Sequence, residues 1–197
     1  RRPPISTLFP YTTLFRSDFE LMKRIREGEK SAFLALVERY QQTLFQFFCR
    51  MGVCRAESED LVQEVFLRIF SCRFRYRPTA KFLTFLYTVA RHVWVDFLRK
   101  TKNLKSIDWT EDQEERISAE DCPNFVSQVE ASLDIQYALS GLSEKLRIVV
   151  VMALYQNLRY QEIAEILDIP VGTVKSRINL AFQQLREIFS ESQKNLR

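Results

Sequence analysis

A chain of 197 residues, 46% of them hydrophobic, is long enough to bury one large or two small cores. Four Gly and six Pro, against abundant Leu, Arg, Glu, Phe and Ile, predict an all-α protein and speak against a β-rich one. The net charge of +4 is too small to name a partner, so the distribution of charge has to do so.

In chain order, residues 1–17 show no helical period, hold three of the six prolines, and read as a non-native or disordered tail, closer to a translated adapter sequence than to a folded segment. Folding sequence starts near Asp18. Leu21–Arg26 and Ser31–Met51 read as helices split by Glu27-Gly28-Glu29-Lys30, with Ser31 a suitable N-cap. Phe33, Leu36, Val37, Tyr40, Leu44 and Phe47 form the buried stripe of the second. A third helix covers Ala56–Phe70, with Val62, Val65, Phe66 and Ile69 on its inner side. Its outer side carries Asp60, Gln63 and Glu64 with Leu67 among them, and an apolar residue inside a polar face points to a docking surface.

Arg73–Lys105 holds nine Lys or Arg and one acid, Asp96, interleaved with aromatic rings. Arg73–Lys81 reads as a loop broken by Pro78, and Phe82–Lys100 as a helix. Phe82, Leu86, Val89, Val93 and Phe97 are predicted to face inward. Thr84, Tyr87, Arg91 and Val95 are predicted to face away, with Trp94 at the boundary. Cations neutralise phosphates and exposed rings stack on unpaired bases, so the loop with Tyr87, Arg91 and Trp94 suggests a nucleic-acid surface.

Asp108–Asp134 reverses the sign, with nine acids against Arg116, a net −8 that leaves the rest of this +4 chain at +12. It reads as an acidic linker between two basic domains. Helices resume near Phe125, through Val126, Val129, Leu133 and Tyr137. Ser143 is a plausible N-cap for Glu144–Tyr155, whose core positions include Leu146, Val149, Val150 and Ala153.

Asn157–Ile188 reads as a helix-turn-helix. Ile163, Ala164 and Leu167 line the first helix, Asp168-Ile169-Pro170 breaks it, and Pro170 suits the first turn of the next. Val174, Ile178, Ala181, Leu185 and Ile188 fall on one face of that second helix. Gly172, Ser176, Asn179 and Gln183 oppose it with Lys175 beside them, and Arg177 lies near the core edge. Small, amide and lysine side chains at the start of such a helix suit a major-groove reader. The tail after Phe189 is polar and is expected to fray.

Other chemistry is scarce. No apolar run is long enough to span a bilayer, and no secretory leader is visible. Cys49, Cys54, Cys72 and Cys122 lack paired metal spacing, and His92 is the only histidine, so neither a metal nor a cofactor is expected and the thiols read as reduced and cytoplasmic. With no glycine-rich phosphate loop or nucleophile motif, an enzyme is not expected.

A basic aromatic helical module followed by a helix-turn-helix resembles bacterial sigma factors of the sigma-70 family, above all the small extracytoplasmic-function (ECF) group, which keeps only domains two and four. The resemblance rests on AESEDLVQEVFLRIF at Ala56–Phe70, KFLTFLYTVARHVWVDFLRK at Lys81–Lys100 and YQEIAEILDIPVGTVKSRI at Tyr160–Ile178. It implies a domain two over residues 18–104, an acidic linker over 105–125, a domain four over 126–190 and a tail over 191–197.

It also implies roles. Asp60, Gln63, Glu64 and Leu67 match the helix that docks on the β′ clamp helices of core RNA polymerase. Arg73, Arg75, Tyr76, Arg77, Lys81, Tyr87, Arg91, His92 and Trp94 fall in the part that captures and melts the −10 promoter element, where the loop builds a pocket for a flipped base. Gly172, Thr173, Lys175, Ser176, Arg177 and Asn179 match the −35 reader, in a domain that also docks on the β flap. The linker would thread toward the RNA exit path, and an anti-sigma partner is expected from the family. Departures concern the promoter sequence: Phe85 stands where Trp is usual, His92 where Asn is common, Ser143 for a frequent Pro, and the Arg73–Arg77 run is unusually basic. The competing reading is a stand-alone helix-turn-helix regulator binding duplex DNA without polymerase, a class that lacks the Ala56–Lys100 block.

Overall fold

The computed structural model describes the backbone of residues 10–77, 81–101 and 130–195, and the side chains of residues 18–77, 81–101 and 135–188. Among them there are eight helices and no strand: α1 (Pro10–Arg26), α2 (Lys30–Arg50), α3 (Arg55–Cys72), α4 (Phe82–Thr101), α5 (Glu130–Ser140), α6 (Glu144–Leu154), α7 (Tyr160–Leu167) and α8 (Val171–Asn195). The linker reading over 105–125 and residues 1–9 lie outside the described residues.

The first four helices form one bundle because each carries a single apolar stripe. Leu21, Met22 and Ile25 of α1 pack on α2, whose Leu36, Leu44, Phe47 and Phe48 are fully enclosed. Val65 and Ile69 of α3 and Leu86 and Ala90 of α4 close the same core. Asp18 is buried there, accepting hydrogen bonds from the Tyr40 hydroxyl at 2.5 Å and from Arg39. Burial, then the Asp18 carboxylate beside it, holds the Tyr40 hydroxyl well above the usual phenol range.

The second bundle wraps around α6. This helix is enclosed all round, from Leu146 to Met152, as a helix apolar on every side must be. Its one buried charge is Arg147. The guanidinium donates to the carbonyls of Leu139 and Ser140 at the end of α5, of Leu142 in the turn that follows, and of Met51 in the α2–α3 turn. A single side chain therefore satisfies the orphan carbonyls of a helix terminus and ties the two bundles together. Arg50 stacks over the Tyr155 ring at 4.1 Å on the same side. The apolar core runs continuously from one bundle into the other, chiefly through α4 and α7.

Several boundaries differ from the sequence reading. α1 begins at Pro10, not near Leu21: Pro is well placed at a first helical position, and the packed turns at Leu21–Ile25 carry the helix back toward it. Ser31 is not the N-cap of α2. That position is Glu29, and the Ser31 hydroxyl instead donates to the Glu29 carboxylate at 2.7 Å. Arg24, first, and then Ser31 hold this carboxyl at about 2. Ser143 does occupy the N-cap of α6, although its side chain makes no capping bond. α8 stays helical to Asn195, past the point where fraying was expected. No described helix is long and apolar enough to cross a membrane.

Candidate nucleic-acid interface

The helix-turn-helix forms as its sequence requires. Arg159 N–H donates to the Glu162 carboxylate at 2.8 Å, which fixes the start of α7. Asp168 ends the helix in the left-handed region at φ 57°, a conformation that Asp tolerates better than most residues. Ile169 N–H then returns to the Ala164 carbonyl at 3.1 Å. Pro170, with no N–H to lose, sits just before α8, and its carbonyl accepts from Val174 N–H at 3.2 Å.

Val174, Ile178 and Ala181 are buried beneath α8, so the opposite side is left to solvent. Gly172, Lys175, Ser176 and Asn179 are exposed, and Thr173 is half-buried. The Ser176 hydroxyl donates to the Thr173 carbonyl at 3.0 Å. A Cβ at Gly172 would meet nothing, so the first turn lies open to an approaching backbone. Arg177, counted among the −35 residues by resemblance, is only 4% exposed and belongs to the packing of the module, in keeping with its place near the core edge and not with a surface contact.

On α3, Asp60, Gln63 and Leu67 are exposed and Glu64 is half-buried. Leu67 exposes 61% of its surface, too much for a core residue on a helix so well packed beneath. The Glu64 carboxylate is held by Arg68 at 2.7 Å, and Arg68 reaches across to Asp96 of α4 at 2.8 Å. Sequence reasoning missed this network, and it missed that Leu34 and Phe70 are exposed as well; Phe74, in the loop read as a nucleic-acid surface, is exposed too. Phe70 packs edge-on to Phe33, and Arg73 stacks on Phe70 at 4.0 Å and on Phe74 at 4.2 Å. The signal available was the one used for Leu67, an apolar residue on a polar helix face, and Leu34 has it too, beside Lys30, Ser31, Glu38 and Gln41.

The basic loop is divided. Arg75 and Arg77 are exposed, while Arg73 is half-buried and donates to the Phe70 carbonyl at 2.7 Å. Tyr76 is half-buried against Phe85 at 5.0 Å and Phe82 at 6.2 Å, the rings forming a small aromatic wall at the start of α4. Residues 78–80 lie outside the described residues. His92 is exposed, and desolvation, then the Arg91 charge, keep its pKa below the ordinary imidazole value, which favours the neutral ring.

The face of α4 expected to point outward does not. Thr84, Tyr87, Trp94 and Val95 are buried, and Arg91 is half-buried. The Tyr87 ring packs edge-on to Phe47 of α2 at 5.3 Å, within its own bundle, and α7 packs along α4. The Tyr87 hydroxyl donates to the Gln156 side-chain carbonyl, Arg91 donates to the Ile166 carbonyl at 3.2 Å, and Lys81 pairs with Glu162 at 2.7 Å. Burial raises the Glu162 carboxyl, but Lys81 and the Arg159 N–H outweigh it and leave the pKa low. Among the described residues no cluster of His, Cys, Asp and Glu could hold a metal ion.

Two family profiles match along the chain, Sigma-70 region 2 over residues 36–104 and Sigma-70, region 4 over residues 132–185. The ECF RNA polymerase sigma factor SigW of Bacillus subtilis (strain 168) is 32% identical over 177 residues, which cover 84% of this chain and 93% of that protein. The chain belongs to the ECF group of sigma-70 factors.

Another relative is the RNA polymerase sigma factor CarQ of Myxococcus xanthus, 30% identical across 86% of this chain and 96% of that protein. The fold is shared with CnrH in its complex with the cytosolic domain of CnrY, at TM-score 0.67 and 20% identity over 89% of this chain and 98% of that one. It is shared also with RpoE from Bartonella quintana in its complex with the anti-sigma factor NepR, at TM-score 0.61 and 19% identity over 80% of this chain and 96% of that one. As a sigma factor, the protein binds core RNA polymerase and directs promoter-specific initiation, and catalyses no covalent step itself. A region 2 module in front of the helix-turn-helix sets it apart from a stand-alone regulator.

Proposed function

We propose that the roles of this sigma factor divide by face. Asp60, Gln63, Glu64 and Leu67 of α3 dock on the β′ clamp helices. Gly172, Thr173, Lys175, Ser176 and Asn179 at the start of α8 read the −35 element, with Arg177 shaping the helix from beneath. Arg75, Arg77, Tyr76 and His92, with Lys81, Tyr87, Arg91 and Trp94 once exposed, capture the −10 strand. The observation that carries this reading is the exposure of two unlike surfaces on separate modules, an acidic one with Leu67 at its centre and a small-residue, lysine-bearing one at a helix start.

Phosphate contacts position the protein, and the few side chains at base edges choose the site. Binding energy on the unpaired strand offsets the cost of unstacking it. The protein acts in the cytoplasm, where its polymerase is, and pairs with an anti-sigma factor, as the structurally similar RpoE from Bartonella quintana does with NepR. The test is run-off transcription with core polymerase, with and without the protein, on a cognate promoter. Transcript is expected when both are present, and Leu67→Glu should cut core binding by about tenfold or more, the scale of losing an apolar anchor at an interface. Equal transcript from core polymerase alone, or full binding by Leu67→Glu, contradicts the assignment.

A further inference from the structure

Rings in contact can slide over one another, whereas a hydrogen bond to a charge fixes one atom in place. The aromatic wall at the start of α4 has such a fixed point behind it. Tyr76 and Phe85 are half-buried, so each keeps part of a ring toward solvent. Phe82 is buried behind both, its centroid 6.2 Å from that of Tyr76 and 6.1 Å from that of Phe85. The Tyr40 ring of α2 backs Phe82 in turn at 5.4 Å. The Tyr40 hydroxyl donates to one oxygen of the Asp18 carboxylate at 2.5 Å, and Arg39 holds the other. A row of contacts therefore runs from Asp18 through Tyr40 and Phe82 to two half-exposed rings. Burial first, and then the Asp18 charge, raise the Tyr76 hydroxyl above the ordinary phenol value, so the carboxylate also acts on the wall directly. An apolar residue could close this part of the core without the cost of burying a charge. What the carboxylate adds is direction.

We propose that Asp18 is a positioning residue for capture of the −10 strand. It touches no base. By fixing the Tyr40 hydroxyl it sets the tilt of Phe82, and so the spacing of Tyr76 and Phe85 on which an unpaired base stacks. Stacking depends on the height and angle of the ring, and a wall ordered in advance removes a cost otherwise met at binding. The inference rests on the −10 reading proposed above. It adds a residue of α1, ahead of residue 36 where the region 2 match begins.

The experiment uses the full chain assembled with core polymerase. The probes are labelled single-stranded oligonucleotides spanning the −10 element, one intact and a series each abasic at one position, with binding read by fluorescence anisotropy. For the parent, the abasic site at the captured position should weaken binding by about tenfold, the scale of one base stack on an aromatic ring. Tyr40→Phe removes only the hydroxyl, and Asp18→Ala removes the carboxylate. Tyr76→Ala removes part of the wall itself. Glu20→Gln, at an exposed position of α1, is the control, and circular dichroism checks folding.

Tyr40→Phe and Asp18→Ala should each reduce the intact-to-abasic ratio to about threefold or less, with the abasic probe bound as the parent binds it and the control unchanged. A loss of bundle stability alone weakens both probes alike and leaves the ratio where it was. The parental ratio in Tyr40→Phe therefore overturns the proposal, and that variant decides the matter if Asp18→Ala does not fold. If Tyr76→Ala loses the ratio while Tyr40→Phe keeps it, only the positioning role falls. If Tyr76→Ala also keeps it, the −10 reading of the wall falls and the proposal with it.

Discussion

The two helices proposed to read DNA are buried to very different degrees. The reading face of α8 is made of Gly172, Lys175, Ser176 and Asn179, and it stands open with its module fully folded beneath it. The reading face of α4 is made of Tyr87, Arg91 and Trp94, and it is covered by the neighbouring module. Small polar side chains can wait in water at no cost. Large rings cannot, so a surface built to stack on unpaired bases is also a surface that another helix can bury. Duplex reading and strand capture therefore place opposite demands on the free protein.

The strongest way to break this comparison is to remove the side chain that ties the modules together. Arg147→Ala leaves the carbonyls of Leu139, Ser140, Leu142 and Met51 without their donor in a buried place. A loss of about 3–5 kcal/mol in chemical denaturation is expected, the scale of a buried charged network deprived of one member. Arg147→Met should lose as much, because the cost lies in the carbonyls and not in the volume. A loss below about 1 kcal/mol would mean that water takes over the role.

A smaller effect sharpens the comparison. Lys175→Ala or Asn179→Ala should lower run-off transcription by about tenfold each, as expected for a lost base contact. A template already opened at the −10 element should not restore it. Arg75→Ala or Arg77→Ala should cost only about twofold to fivefold and show a shallower salt dependence than the parent, as phosphate contacts do. These losses should shrink on the opened template, since melting no longer has to be driven.

The smallest effect is with acid. Glu162 has a carboxyl pKa below its ordinary value of 4.5 in the closed form. Once the modules separate and Lys81 leaves, the group binds its proton more readily. Its contribution to closure is fully present above the ordinary value and is lost as pH falls through the lowered one. The radius of gyration of the parent should rise in that window, and that of Glu162→Gln should not change there.

Much of this was legible in the chain. The stripe of Val174, Ile178 and Ala181 placed Lys175 and Asn179 in solvent, because one helix and its own module decide that face. The exposed Leu67 was legible for the same reason. The burial of Tyr87, Trp94 and Thr84 was not. Helical periodicity says which residues share a side, yet not what lies against that side when the contact comes from residues 156–168. Nor could spacing show that Asp18 would be buried against Tyr40, or that Arg68 would bridge α3 to Asp96, since those pairings join separate helices.

Arg147 and the α4–α7 contact also bear on how the chain is made. Synthesis delivers α4 well before α7, at about 5–20 residues per second, so the bundle of α1–α4 exists for several seconds with the α7-facing side of α4 uncovered and the Met51 carbonyl hydrated. For that interval the nascent chain displays a sticky, ring-bearing flank on the ribosome. Chains stalled shortly after residue 129 should bind an apolar dye more strongly than chains extended through α8, and equal dye uptake would show that the flank is masked by other means.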